Sequence, residues 1–129
     1  MANHPRAIDP RVRESRQRAY LSVPTLARQM PSISEIAVEL RFMYETGQPF
    51  MSPYRQIFVP DMQAYFEFQC PDRDCSGAGF DMTPAISAAV RAGKEEISGT
   101  LKCRGSKSRT PCSITLDYKV ETRLRESGN

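Results

Sequence analysis

All four cysteines of this chain fall between residues 70 and 112, spaced as C-x4-C, then 27 residues, then C-x8-C. Two cysteine pairs separated by a longer stretch are the arithmetic of a metal site. A structural Zn²⁺ takes four thiolates in a closed tetrahedron with bonds of ~2.3 Å, so Cys70, Cys75, Cys103 and Cys112 are the candidate ligands. Three other uses of four cysteines stay open. Two disulfides would suit an exported chain, but the first thirty residues lack the apolar core of a secretory signal. An iron–sulfur cluster also accepts four thiolates, although the close ferredoxin-type spacings are absent. The last alternative is four buried free thiols.

The strand pattern argues for the metal independently. Ile36, Val38, Leu40 and Phe42 alternate with Ala37, Glu39, Arg41 and Met43, which predicts a strand over Glu35–Tyr44 with one buried face. Thr46 to Pro49 should end it. Residues 48–56 read as a Pro-rich loop. Ile57–Val59 reads as a short strand, and Pro60 separates it from a stronger one over Ala64–Cys70. Gly99–Cys103 and Cys112–Thr122 are two further predicted strands, the second with Ile114, Leu116, Tyr118 and Val120 on one face. Cys70, Cys103 and Cys112 share parity with the core faces of their strands. If these strands are neighbours, three sulfurs meet at one end of a sheet. Cys75 would close the site from a turn that Pro71 stiffens and Gly77 and Gly79 allow to bend.

Between the cysteine pairs a helix is predicted, with Thr83 as N-cap, Pro84 in the first helical position, and Ile86, Ala89, Val90 and Ile97 at helical spacing. Gly93 marks its end, or Glu96 does. The order β-β-α-β-β predicts an α+β fold, a mostly antiparallel sheet with one covering helix, stapled by the four-cysteine site. The expected organisation is a basic, Pro-containing arm over residues 1–31, a zinc-binding domain over 32–124 and a frayed tail over 125–129. The arm is read either as a frayed helix from Arg11 to Leu21 or as a disordered segment. A folded part of this size gains only marginal stability from burial, and a structural zinc adds binding free energy on the order of 10 kcal/mol.

Cys70-Pro71-Asp72-Arg73-Asp74-Cys75-Ser76-Gly77 resembles a zinc knuckle of the zinc-ribbon group, which often reads Cys-Pro, a few residues, then Cys-Gly. The likeness spans residues 66–118. It departs from the group in its wider spacings and in Ser76 before the glycine. Zinc-ribbon proteins bind DNA, RNA or protein, so the resemblance implies structural zinc and a binding role without choosing a partner.

Charge is unevenly spread. The chain totals +3, yet residues 1–30 carry six Arg against Asp9 and Glu14, residues 31–100 are acidic, and residues 101–129 are basic again. The loop from Arg104 to Pro111 holds Arg104, Lys107 and Arg109 with no acid, and Lys102 precedes it. Together with Arg11, Arg13, Arg16 and Arg18 of the arm, these residues form a candidate nucleic-acid surface for DNA or RNA. The competing readings are that the loop cations balance a negative zinc–thiolate centre and that the arm is solvated. In that case the protein is an adaptor that meets a protein partner, or a subunit of a larger assembly.

Enzyme signals are missing. His4 is the one histidine, and no His-x-Glu or Cys-x-Glu accompanies the cysteines as in a zinc deaminase. There is no P-loop, Rossmann glycine pattern or serine elbow. No segment has the ~20 apolar residues of a membrane span, and nothing indicates a small-molecule substrate. A transit peptide is disfavoured by Asp9, Glu14 and two prolines. The expectation is a cytoplasmic, non-enzymatic binding module.

Overall fold

The computed structural model describes residues 10–125. The expected arm before residue 10 and the tail from 126 lie outside the described residues, as does the side chain of Arg13. The elements are α1 (Pro10–Ser22), α2 (Leu26–Gln29), β1 (Ile33–Met43), β2 (Tyr54–Phe58), β3 (Glu67–Phe68), β4 (Phe80–Asp81), α3 (Thr83–Arg91), β5 (Glu96–Lys102), β6 (Ser106–Lys107), β7 (Thr110–Pro111) and β8 (Thr115–Leu124). The fold is α+β with mostly antiparallel pairing.

Four strands make the main sheet, in the order β2-β1-β8-β5, with every neighbouring pair antiparallel. β1 and β8 lie at its centre, Val38 opposite Val120 and Phe42 opposite Leu116. Alternation does what the sequence pattern requires: Ile36, Val38, Leu40 and Phe42 of β1 and Leu116 and Val120 of β8 are buried. The other face is polar. There Lys119 pairs with Glu96 at 3.5 Å, Thr100 donates to Asp117 at 2.9 Å, and Arg41 lies 2.9 Å from Glu39.

The second layer is built from smaller pieces. β3 pairs with β4, and Phe68 and Phe80 face each other across that ribbon. Phe66 and Phe80 reach the sheet through edge and tilted ring contacts, Phe58–Phe66 at 5.0 Å and Phe42–Phe80 at 5.6 Å between centroids. α3 adds Ile86 and Ala89 to the buried set. It ends in a Schellman motif: Gly93 has φ +68°, the Gly93 N–H bonds Val90 O at 3.1 Å, and the Lys94 N–H bonds Ala89 O at 2.9 Å. At the start of α3, Met82 takes the cap position, and Asp81 Oδ1 accepts the Thr83 N–H at 2.9 Å, a role the sequence assigned to Thr83.

Ala64–Cys70 is the main departure from the sequence expectation. Only Glu67–Phe68 is a strand, and it lies outside the main sheet. The backbone groups on either side are taken elsewhere. Ala64 N–H bonds Pro24 O at 2.9 Å, Gln63 bridges to Thr25, and Phe66 O accepts the Met82 N–H at 2.9 Å. Pro60 and Pro71, which cannot donate to a ladder, bound the segment. Cys103 and Cys112 therefore lie at one end of the neighbouring strands β5 and β8, as expected, whereas Cys70 reaches them from the separate β3–β4 ribbon.

In the described part of the arm, α1 (Pro10–Ser22) and the short α2 (Leu26–Gln29) are helical. From α1, Tyr20 meets Tyr65 edge-on at 5.8 Å, and the Arg16 guanidinium donates to Gly77 O. No described helix is long and apolar enough to cross a membrane.

Candidate metal centre

Four segments deliver the four sulfurs. Cys70 follows β3, Cys75 sits in the turn after it, Cys103 follows β5, and Cys112 lies between β7 and β8. All four are buried, with their Sγ atoms within 4.8 Å of one another. Cys75 and Cys103 are 3.6 Å apart, and Cys70 and Cys112 are 3.9 Å apart. A tetrahedron with metal–sulfur bonds of ~2.3 Å has edges of about 3.8 Å, so the donor set fits a thiolate-bound metal ion in size as well as in chemistry.

The backbone around the sulfurs repeats one arrangement. Gly77 N–H points at Cys75 Sγ and Gly105 N–H at Cys103 Sγ, both at 3.3 Å. The Asp72 and Ile114 N–H groups, in the same position two residues on, favour the charged forms of Cys70 and Cys112. Such N–H groups stabilise a thiolate and orient it, as outer-shell partners of metal ligands do.

Burial works the other way on the free thiols. It pushes Cys70 upward, against the Asp72 N–H that favours its charged form, and it raises Cys112 to about 11. Burial also raises Cys75, but the Gly77 N–H and the surrounding sulfurs outweigh it and hold this thiol below its ordinary range. Burial therefore favours the protonated forms of Cys70 and Cys112. A cation able to replace those protons would remove the cost of gathering four sulfurs in the interior.

Two knuckle-like loops hold the geometry and clasp each other. Ser76 N–H bonds Ser106 O at 2.9 Å, Ser106 N–H bonds Ser76 Oγ at 3.1 Å, and Cys112 N–H bonds Gly105 O at 2.9 Å. Gly79, with φ +71°, packs so tightly on the Phe68 carbonyl that a side chain there would collide with backbone.

The basic residues singled out from the sequence divide sharply. Arg104 is turned onto the loops: its backbone N–H and Nε donate to Gly79 O at 3.0 and 3.2 Å, and its Nη2 donates to Ala78 O at 2.8 Å and reaches Glu67 at 3.2 Å. Lys107 pairs with the buried carboxylate of Asp72. Burial disfavours the charged form of Asp72, but the Lys107 hydrogen bond, the Asp74 N–H and the lysine charge outweigh it and hold this carboxyl below its usual range. Arg16 is bonded to Gly77 O. Arg18 lies 3.8 Å from Glu14 in an exposed pair worth little. Arg11 lines a cleft of about 420 Å³ with Arg16, Tyr65 and Glu67. Lys102 ends β5 on the polar sheet face, and Arg109 occupies the tip of the β6–β7 hairpin. Arg16 and Arg104 meet on one loop, through Gly77 O and through Ala78 O and Gly79 O.

Asp72, Glu67 and Gly105 were not singled out from the sequence. The signal for Gly105 was present as a repeat, Cys75-Ser76-Gly77 and Cys103-Arg104-Gly105, in which a glycine follows each cysteine at the same distance.

No protein-family model, curated protein or solved structure matches the chain. The four buried cysteines could hold a metal ion.

Proposed function

We propose that Cys70, Cys75, Cys103 and Cys112 hold one structural Zn²⁺, in the manner of a zinc-ribbon centre, and that the protein is a binding module rather than an enzyme. The observation that carries this reading is four buried Sγ atoms within 4.8 Å of one another, with separations of 3.6 and 3.9 Å that match the edges of a metal–thiolate tetrahedron. Four thiolates leave no open coordination position, so the metal would join the two halves of the molecule and activate no water. Arg104 and Lys107 brace the same loops, and their charge offsets part of the roughly two negative charges of a four-thiolate zinc.

A protein partner fits this arrangement best, because Arg16, Arg104 and Lys107 are held in internal contacts and are not free to track phosphates. One observation favours nucleic acid as a second reading. Ser108 and Arg109 form the two-residue hairpin tip with φ of +46° and +71°. That conformation costs a non-glycine residue about 1–2 kcal/mol, and the Arg109 side chain is exposed and makes no ion pair with the described residues. An arginine kept at a strained tip is available to a phosphate.

Metal analysis with a free-thiol count tests the centre. Binding to a mixed-sequence duplex DNA and to an RNA hairpin over a salt series tests the second reading. Arg109→Ala should weaken any such binding and reduce its salt dependence. Binding that ignores both salt and Arg109 would reject that reading.

A further inference from the structure

The main sheet has two open edges, and they are built differently. β2 is five residues long and lies between Pro53 and Pro60, which blunt it as a template for another strand. β5 is seven residues long, has no proline, and keeps an unbroken register with β8 from Glu96 to Lys102. Among the described residues no strand pairs with its far side.

The sequence of β5, Glu96-Ile97-Ser98-Gly99-Thr100-Leu101-Lys102, has the same chemistry in both directions about Gly99. An antiparallel copy with Gly99 opposite Gly99 sets Glu96 against Lys102, Ile97 against Leu101, and Ser98 against Thr100. Every cross-strand pair is then complementary, and opposite charges and apolar pairs are the combinations that stabilise a ladder. The faces agree as well. Ile97, Gly99 and Leu101 are half-buried on the core side, where another strand would cover them further, and Glu96, Ser98, Thr100 and Lys102 are exposed on the polar side. Lys102 makes no ion pair with the described residues, and the exposed Glu96, 3.5 Å from Lys119 of its own chain through one carboxylate oxygen, keeps the other for it. Gly99 leaves no side chain between two copies at the axis, since the Tyr118 ring of its own chain lies over it.

We infer that β5 is a self-association edge. Two copies pair antiparallel through it about a two-fold axis at Gly99, joining their sheets into one, with a Glu96–Lys102 ion pair at each end of the new ladder. A two-fold interface must be self-complementary, and this strand is. The charges set the register, which a glycine-centred strand alone would leave free to slip.

Sedimentation velocity of the full chain from micromolar to submillimolar concentration tests the inference. The expected result is a monomer–dimer equilibrium. Lys102→Glu alone and Glu96→Lys alone should each weaken it about tenfold or more, since two attractive pairs become repulsive. An equimolar mixture of the two variants should restore dimers, because each chain then carries the charges the other lacks. Amide hydrogen exchange on the unaltered chain gives an independent reading: residues 96–102 should become more protected as concentration rises. A chain that stays monomeric throughout, a dimer indifferent to both variants, or a mixture that recovers nothing would overturn the inference. None of these outcomes bears on the metal centre.

Discussion

Gly105 lies directly beneath Cys75: a Cβ at residue 105 would stand 2.5 Å from Cys75 Sγ and 2.7 Å from Ser76 Oγ. The glycine is needed for space rather than for an unusual φ. It lets the second cysteine loop close onto the first while its own N–H serves Cys103. Gly105→Ala should therefore push a ligand out of place. Metal affinity, measured by competition with a chromophoric chelator, is expected to fall 10–100-fold, the range seen when support around ligands is lost. Affinity unchanged from the natural chain would show that the two loops do not share one centre.

Arg104 and Arg109 are five residues apart in one basic loop, yet they do different things. Arg104→Ala removes the hydrogen bonds to Ala78 O and Gly79 O and the contact with Glu67. It should lower the melting temperature by about 4 °C or more. Arg109→Ala should leave that temperature nearly unchanged. Equal effects would contradict the assignment of Arg104 as a brace.

Relief of the hairpin tip should raise stability. Arg109→Gly places a glycine where φ is +71° and should stabilise the chain by about 1 kcal/mol. Chemical denaturation measures this directly. A loss of stability would mean that the Arg109 side chain contributes to the fold.

Acid should release the metal. Thiolate ligands must be deprotonated, so protons and metal compete, and affinity falls as pH falls. On titration from neutral pH downward, metal release and loss of tertiary structure after Cys70 should occur together. Metal loss with no structural change would leave the centre without a stapling role.

The long central strands were legible because alternation over ten residues has one simple cause, a sheet with one buried face; Ile36 to Phe42 and Ile114 to Val120 show it. Cysteine spacing likewise pointed to the cluster. Other parts depend on partners far away in the chain. Alternation in Ala64–Cys70 reads as a strand, but its hydrogen bonds are claimed by Pro24 and Met82, which no local pattern announces. The basic loop reads as an open finger until Asp72 and Glu67 appear beside it. Charge patterning gives the sign of a segment and not the direction in which its side chains turn.

Elemental analysis with a free-thiol count, on protein purified without added metal, shows whether the four cysteines close around one metal ion. One zinc per chain is expected, with thiols that stay unreactive until a chelator is added. Metal-free protein whose thiols are paired, or react at once, would contradict the four-cysteine metal centre.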